Sequence, residues 1–212
     1  MLRVSLQTKI LGLVLSLIFL ITLLLSGIYM YLAAEQVERQ TGQLALQVSK
    51  TVSLMPAIHQ AFLLDDPSKV IQPLAEKIRK EVGAEFIVIG NKEGIRYSHP
   101  IASRIGKKMV GGDNEKALEL GEFYTSKAVG TLGPSLRGKS PIFDSKGHVI
   151  GIVSVGFLLD DVKAKIWAKA VKVSYVALGV LLIGILGSIM LARNIRRDTF
   201  GLECNCFENN PY

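Results

Sequence analysis

The chain has 212 residues, a formal net charge of +7, and hydrophobic residues at 49% of its positions. Its mean hydropathy of +0.35 is high for a soluble domain of this size and points to membrane-spanning segments. The lysines and arginines are scattered, with no basic patch interleaved with aromatic residues, so no nucleic-acid partner is expected. The only cysteines, Cys204 and Cys206, stand near the end of the chain. They exclude a disulfide framework, and as a lone pair they are a weak metal motif, so no metal or cofactor is expected.

An uncharged run from Ile10 to Tyr31 predicts a first transmembrane helix, because about 20 apolar residues cross a bilayer core about 30 Å thick. A cleaved signal peptide is the alternative. The run is longer than the usual apolar region of about 7–15 residues, and Leu32-Ala33-Ala34 is a poor cleavage site, so an uncleaved anchor is favoured. A second run, Val173 to Ala192, ends in basic residues that suit the cytoplasmic side: Arg193, Arg196 and Arg197.

Two spans divide the chain into five predicted segments. They are a cytoplasmic amino terminus (1–9), a first helix (10–31), an extracytoplasmic domain (32–170), a second helix (173–192) and a cytoplasmic tail (193–212). Four lysines outside the second span argue for the opposite orientation: Lys163, Lys165, Lys169 and Lys172. The first helix usually sets the orientation, however, and long domains translocate regardless of charge. Three glycines in the second span either allow close helix packing or are ordinary membrane-helix glycines: Gly179, Gly184 and Gly187.

Between the spans, the pattern predicts an α+β domain in which helices precede an antiparallel five-stranded sheet. A helix leaving the first span carries an apolar stripe that is either packed on its own domain or part of a dimer seam: Val37, Thr41, Leu44, Val48, Thr51 and Met55. Pro56 predicts a break. A further helix begins near Asp65-Asp66-Pro67-Ser68, runs to Val82 and stops at Gly83. The predicted strands are Glu85–Gly90, Ile95–His99, Glu122–Ala128, Leu136–Phe143 and His148–Phe157.

Glycine-ended turns connect two pairs of these strands, at Asn91–Gly94 and Asp144–Gly147. A short helix is predicted at Glu115–Leu120. Asp160-Asp161 begins the last helix, which runs through Trp167 into the second span.

Four cationic side chains with few acids near them predict an anion site. Arg137 and Lys139 stand two apart on a strand, so both side chains lie on one face. Burying two cations there is costly unless an anion pairs with them. Arg96 and His99 join them only if the chain bends before Pro100. Cations on one surface edge are the alternative, and the site is slightly favoured.

Two further features could contribute to such a site. Gly130 and Gly133 flank Thr131-Leu132, where backbone N–H groups could face an anion. Ser154 lies in an otherwise apolar strand, where a hydroxyl bonded to the backbone is the common case and a ligand contact the less common one.

The segment Gly133–Ser140 matches the nucleotide-binding pattern G-x-x-x-x-G-K-[ST] letter for letter. A true phosphate loop follows a strand and opens a helix. Here Pro141 follows at once, and the turn at Asp144 arrives too soon for a helix, so the match is interpreted as coincidence. With no hydrolase motif and no metal cluster in the sequence, no catalytic residue is predicted.

Four segments together resemble the sensor domain of citrate-sensing histidine kinases (the CitA group): Arg96–His99, Arg104–Asp113, Gly130–Ile142 and Gly147–Gly156. The C4-dicarboxylate sensors (DcuS-like) are close relatives of that group. The resemblance runs from the first span to about Glu203. It implies a PAS-like fold between two transmembrane helices. It also implies a homodimeric sensor kinase in a bacterial inner membrane, acting in a two-component phosphorelay with a response regulator.

The resemblance also implies a citrate-binding set, carried over residue by residue: Arg96, His99, Gly130, Thr131, Leu132, Arg137, Lys139 and Ser154. Val88 stands where citrate sensors can have a threonine contact. Lys139 favours citrate, because dicarboxylate sensors tend to lack that second cation. The implied function is sensing of external citrate, signalled through the second span, with malate or fumarate as the alternative ligand.

The resemblance stops at Phe200–Glu203, where the family continues into a cytosolic PAS domain and a kinase. This chain instead ends in Cys204–Tyr212. A truncated or frame-shifted product without kinase activity is therefore expected. A kinase-less binding module, or a dominant-negative partner of a full-length kinase, is the alternative role.

Overall fold

The computed structural model describes residues 6–206, and this part of the chain contains five α-helices and four strands. The helices are α1 (Leu6–Ser53), α2 (Pro56–Ala61), α3 (Ser68–Val82), α4 (Glu115–Leu118) and α5 (Leu159–Cys206). The strands are β1 (Phe86–Asn91), β2 (Tyr124–Gly130), β3 (Gly133–Phe143) and β4 (Val149–Leu158). One compact unit comprises Glu35–Ile166, and a second comprises the residues before and after it.

The four strands form one antiparallel sheet in the order β1-β4-β3-β2. Neighbouring strands β3 and β4 are joined by the predicted turn, which closes with a hydrogen bond from Asp144 N–H to His148 O at 2.9 Å. Together with the preceding helices, this sheet confirms the α+β, PAS-like fold. The central strands carry most of the buried residues, so the sheet is covered on both faces there.

The prediction of a fifth strand at Ile95–His99 is wrong. After the turn that ends at Gly94, the chain makes only isolated bridges, from Gly90 to Arg96 and from Ile95 to Lys108. Ile89 O of β1 accepts from Tyr97 N–H at 2.7 Å and from Ser98 N–H at 3.3 Å, and Ser98 Oγ also hydrogen-bonds to the backbone of β1. The segment is therefore tied to the sheet without being a strand.

The amino-terminal helix packs on the sheet through small residues. Ala45, Ser49 and Val52 are buried, and Ser49 Oγ lies 2.7 Å from Ser140 Oγ on β3. Two members of the predicted apolar stripe, Leu44 and Thr51, are exposed, so the stripe does not pack as a whole on its own domain, and the dimer-seam alternative stays a prediction. The hydropathy pattern did not predict the face of α1 that meets the sheet, because alanine and serine are too weakly hydrophobic to mark a buried face.

The core of the Glu35–Ile166 unit lies between these helices and the sheet. Its buried members come from helices α1 to α3, from strands β1, β3 and β4, and from Ala84 just before β1: Ala45, Val52, Ile58, Ala61, Ile71, Ala75, Ala84, Ile87, Ile89, Ile142, Val153, Val155 and Phe157. Helix α3 ends as predicted at Gly83, which adopts the left-handed conformation (φ 65°) that favours glycine.

Two helical stretches are long and apolar enough to cross a membrane by length and composition, Lys9–Ser53 and Leu159–Met190. Among the three glycines of the second span, Gly184 lies opposite Ile18, where an added Cβ would come within 3.3 Å. Gly179 and Gly187 have no such neighbour among the described residues. The ends of the predicted cytoplasmic segments, residues 1–5 and 207–212, lie outside the described residues.

Candidate anion-binding site

Arg137 and Lys139 lie on one face of the central strand β3, as their spacing predicts. Gly138, between them, lies against the backbone of α1, so the two cationic side chains point to the opposite face. In the sheet, Arg137 is opposite Gly156 and Lys139 is opposite Ser154. The exposed fractions of Arg137 and Lys139 are only 3% and 0%. Two cations so deeply buried require anionic partners.

A second pair of basic side chains, Arg96 and His99, lies in the irregular segment after β1. Both are buried, with 4% and 3% of their surfaces exposed. Between them, Ser98 Oγ donates to Ile87 O at 3.1 Å and accepts from Ile89 N–H at 2.8 Å. These bonds anchor the segment to β1. Because the segment is not a regular strand, Arg96 and His99 can both line one cavity despite standing three residues apart.

His99 is held by the segment around it and by helix α3. The Gln72 side chain donates to His99 O at 3.0 Å and accepts from His99 N–H at 2.9 Å. Ile101 N–H donates to His99 Nδ1 at 2.9 Å, so Nε2 carries the ring proton when the imidazole is neutral. Burial, and then the charge of Arg96, lower the pKa of His99 below its ordinary value. In the protein without an anion, His99 is therefore a neutral donor at pH 7.

These two cationic segments meet at a cavity with about 330 Å³ of empty space, part of it open to solvent. Seven of the eight predicted ligand residues line it: Arg96, His99, Gly130, Thr131, Leu132, Arg137 and Ser154. The eighth, Lys139, does not. Val88, which stands in the position of the expected threonine, also lines the wall without offering a hydroxyl.

Three lining residues were not anticipated from the sequence, namely Phe86, Met109 and Val110. Phe86 alternates with Val88 on β1, and its ring centre lies 5.7 Å from the guanidinium carbon of Arg137. Because Phe86 stands two residues before Val88 on the same strand, the alternation of side chains could have placed Phe86 on the cavity side. Met109 and Val110 belong to an irregular loop, and their apolar character within a polar stretch was the only available signal.

The guanidinium of Arg137 is fixed by three contacts with the protein. Its Nε donates to Ser135 Oγ at 2.9 Å and its Nη2 to Ala128 O at 3.3 Å. Its Nη1 lies 3.0 Å from the carboxylate of Asp113. An arginine held this way is preorganised to present its remaining N–H groups to a carboxylate.

Two glycines make room for this guanidinium. A Cβ added to Gly130 would collide with Arg137 Nη2, and one added to Gly111 would collide with Arg137 Nη1. Gly111 also has a φ of 129°, which other residues rarely adopt. The backbone thus approaches the Arg137 guanidinium closely on two sides. Gly130 therefore has a steric role in addition to the predicted role of a backbone donor.

Lys139 does not line the cavity, and its ammonium is paired with an acid, Asp113, that was not anticipated there from the sequence. Its ammonium lies 3.0 Å from Asp113 Oδ1 and also bonds to Asn114 Oδ1. Ser126 Oγ donates to the other oxygen of Asp113 at 2.6 Å. The expectation of few acids near the cations is therefore wrong for Arg137 and Lys139.

The charges of this cluster are strongly coupled. Burial lowers the pKa of Lys139 to about 8, and the carboxylate of Asp113 opposes that change. Burial also works against ionisation of Asp113, but Lys139, Ser126 and Arg137 together hold the pKa of that carboxyl below its ordinary value. The ionised carboxylate of Asp113 therefore lies between the two cations Arg137 and Lys139 and holds the cluster together.

Arg96 differs from Arg137 in its partners. Among the described residues its guanidinium makes one side-chain hydrogen bond, from Nη2 to Thr131 Oγ1 at 3.3 Å, and no ion pair. Burial, and then the charge of Arg104, lower the pKa of Arg96, although an arginine remains charged throughout the usual pH range. A buried, charged group with this little compensation favours an anion in the cavity.

The segment that matched the nucleotide-binding pattern, Gly133–Ser140, is part of strand β3. The strand continues to Phe143, so the helix that a phosphate loop must open does not follow it. Its Lys139 faces Asp113 rather than a loop of backbone N–H groups. The geometry agrees with interpreting the match as coincidence.

A half-open cavity lined by buried cations, on an antiparallel sheet preceded and followed by apolar helices, defines the class of protein as a small-molecule sensor domain. Residues 32–171 match the family described as single cache domain 3, and the chain belongs to that family.

Individual relatives agree with this assignment. The chain is 45% identical over 197 residues to Sensor protein CitS of Halalkalibacterium halodurans, covering 93% of this chain and 37% of that protein. It is 37% identical over 161 residues to the sensor histidine kinase CitA of Klebsiella pneumoniae, covering 76% of this chain and 29% of that protein. The crystal structure of the Escherichia coli DcuS sensor domain matches with a TM-score of 0.58 and 36% identity, covering 62% of this chain and 98% of that one.

These similarities confirm the resemblance to the sensor part of the CitA and DcuS group. They also limit the resemblance to one part of those proteins, because the chain spans only 37% and 29% of the length of the two curated relatives. The matched part of the DcuS structure is its sensor domain alone.

Proposed function

We propose that this chain is a membrane-bound sensor of external citrate and forms the input part of a two-component histidine kinase. The observation that carries the proposal is the convergence of Arg96 and Arg137, both nearly fully buried, on one cavity. Arg96 has no acidic partner among the described residues, so a ligand carboxylate would compensate it. His99 and Thr131 add neutral donors at the same wall.

Citrate fits the number of positive groups. Arg96 and Arg137 each offer a fork suited to one carboxylate, and Lys139 lies two residues along the same strand face. A third carboxylate would use Lys139, and Ser154, opposite it on β4, would offer a hydroxyl. The ligand-binding set proposed for citrate is thus the predicted one: Arg96, His99, Gly130, Thr131, Leu132, Arg137, Lys139 and Ser154.

A C4-dicarboxylate such as malate or fumarate is the second candidate. It is favoured by the position of Lys139, which is fully buried against Asp113 and Asn114 and does not line the cavity. If Lys139 stays there, the cavity offers two arginines, which match two carboxylates. Titration with acids of both classes separates the candidates.

The membrane arrangement belongs to the same proposal. The spans 10–31 and 173–192 would place the domain 32–170 outside a bacterial inner membrane, with segments 1–9 and 193–212 in the cytoplasm. The apolar helical stretches Lys9–Ser53 and Leu159–Met190 support this topology. A homodimer and a cognate response regulator are expected of the complete kinase.

Signal transfer would use the direct connection from the sheet to the second span. Ser154 lines the cavity on β4, and β4 ends at Leu158, where α5 begins at Leu159 without a loop. A ligand that draws the two cationic segments together would shift β4 and with it the start of α5. Such a change requires the ligand to bind one of the two arrangements more tightly.

Calorimetric titration of the full chain in lipid nanodiscs with citrate, malate, fumarate and ATP tests the proposal. We expect citrate to bind most tightly. Binding of malate or fumarate alone would move the protein to the dicarboxylate sensors. ATP binding that depends on Lys139 would revive the nucleotide-binding alternative. If none of the acids binds to the folded protein, the proposed site is wrong.

We expect the affinity for citrate, corrected for the ionisation of the acid itself, to rise about threefold to tenfold as the pH falls from 7.5 to 6. Without an anion, the pKa of His99 is lowered, so the ring is neutral near pH 7. A bound carboxylate raises that pKa, so the complex takes up a proton. The gain in affinity is therefore complete below the pKa of the free protein and is lost as the pH rises through the pKa of the complex. Titrations at several pH values measure this dependence.

The matched variants for this prediction are His99→Gln and His148→Gln. His148 is exposed and pairs with Asp144 at the hairpin turn, and it is not among the residues that line the cavity. The pH dependence should disappear in the first variant and persist in the second. Equal affinities at both pH values in the unmodified protein would contradict the prediction.

A further inference from the structure

We propose that Asp113 is an internal competitor of the ligand, and that a ligand carboxylate displaces it from Arg137 and Lys139. The inference deepens the function proposed above and rests on it, because it assumes that the cavity binds a carboxylate. It assigns a regulatory and specificity-determining role to a residue that does not line the cavity.

The carboxylate of Asp113 makes the contacts that a bound acid would make. Its Oδ1 lies 3.0 Å from both Arg137 Nη1 and Lys139 Nζ. Its Oδ2 accepts from Ser126 Oγ at 2.6 Å. One carboxylate thus bridges the two cations of strand β3, which is the arrangement expected of a carboxylate ligand at an arginine and a lysine.

Lys139 can meet a ligand only if this carboxylate moves. The side chain of Lys139 is fully buried, and its contacts are with Asp113 and Asn114. It does not contribute to the cavity wall, whereas Arg137, two residues away, does. Asp113 and Asn114 therefore hold the Lys139 ammonium, and neither of them lines the cavity.

Two consecutive glycines directly precede Asp113. Gly111 and Gly112 precede it with φ values of 129° and 66°, and a Cβ at Gly112 would lie in open space. Both glycines are exposed and belong to no helix or strand. Two glycines in succession give the backbone a range of conformations that other residues lack.

The same loop also forms part of the cavity wall. Met109 and Val110 line the cavity directly before Gly111. A ligand that enters the cavity thus contacts the loop whose next residues hold Asp113. The carboxylate and the wall would move together.

Exchange of one carboxylate for another avoids an unfavourable intermediate. Removing the only anion from two buried cations is strongly destabilising. When a ligand carboxylate replaces Asp113, Arg137 and Lys139 remain neutralised, and Asp113 becomes hydrated. An acid with a third carboxylate can drive this exchange and still engage Arg96, so Asp113 would favour citrate over dicarboxylates.

The variant Asp113→Asn tests this role in the full chain in nanodiscs, with citrate and fumarate as probes. Asparagine keeps the shape and an acceptor oxygen but lacks the charge that competes with the ligand. We expect citrate to bind at least tenfold more tightly than to the unmodified chain. Glu115→Gln is the control, because Glu115 is exposed two residues further on and makes no ion pair among the described residues. It should change the affinity less than twofold.

A second variant, Ser126→Ala, loosens Asp113 without changing the charge of the protein. We expect it to tighten citrate binding about twofold to fivefold, because the lost hydrogen bond weakens the internal competitor. Tightening in this variant cannot arise from net charge. It also decides the question by itself if Asp113→Asn does not fold.

The outcomes separate this inference from the proposed function. If no acid binds to the unmodified chain, the proposed function fails. If citrate binds but both variants bind it equally or more weakly, Asp113 only positions the cations and the inference is overturned. If Asp113→Asn alone tightens binding while Ser126→Ala does not, the gain reflects charge, and displacement is again excluded.

Discussion

Replacing Arg137 with alanine is expected to weaken citrate binding by at least about 30-fold, since truncating one partner of a buried charge pair costs about 2–5 kcal/mol. Arg137 lines the cavity and is held by Ser135, Ala128 and Asp113, whereas Arg96 makes a single side-chain hydrogen bond among the described residues. The fold should survive. Asp113 keeps its contact with Lys139, so no buried charge is left without a partner. Calorimetry measures the affinity, and thermal unfolding reports on the fold.

Arg39→Ala is the matched control for this variant. Arg39 is exposed on α1, where its contact is with Glu35 one helical turn away. An exposed pair of this kind contributes little, so the control should leave the affinity within about twofold of the original. A folded Arg137→Ala protein that binds citrate as well as the original would mean that the cavity is not the binding site.

Replacing Gly138 with alanine is expected to lower the stability of the domain by about 3 kcal/mol or to prevent folding. A Cβ at this position would collide with the backbone of Ala45 and Leu46 in α1. Backbone atoms cannot rotate away as a side chain can, so the helix and the sheet would have to separate. Thermal unfolding should show a decrease in melting temperature on the order of 10 °C.

The interface between α1 and the sheet also offers a control substitution that should not lower the stability. Gly42 lies within α1, and a Cβ there would be 3.6 Å from Leu136 and Thr125, an ordinary contact. Gly42→Ala should therefore be neutral or raise the stability by up to about 1 kcal/mol, because alanine favours helix formation. If Gly138→Ala unfolds at the original temperature, α1 does not pack on β3 as closely as described.

The cationic part of the site could be predicted because it depends on local spacing. Arg137 and Lys139 share a face wherever a strand forms, and Gly138 between them necessarily points to the other side. The turn at Asp144–Gly147 likewise follows from local chemistry. These features need no knowledge of distant residues.

The acid within the site could not be predicted in this way. Asp113 lies in an irregular loop, and nothing in its immediate sequence shows that it meets Arg137 and Lys139. Its position is set by the fold around Gly111 and Gly112 and by Ser126 on strand β2. The prediction of few nearby acids was based on residues close in the sequence. The acid that matters, Asp113, is far away in the sequence and close only in the folded domain.

The sequence by itself determined the class of fold, the two apolar helices and the shared strand face of Arg137 and Lys139, because hydrophobic periodicity and strand alternation are local properties. Only the tertiary structure decided which face of α1 meets the sheet and that the segment 95–99 is not a strand. It also decided that Lys139 pairs with Asp113. Each of these depends on close packing or on a charge pair between residues far apart in the chain, and the energy of such contacts is set by distances that no sequence pattern contains.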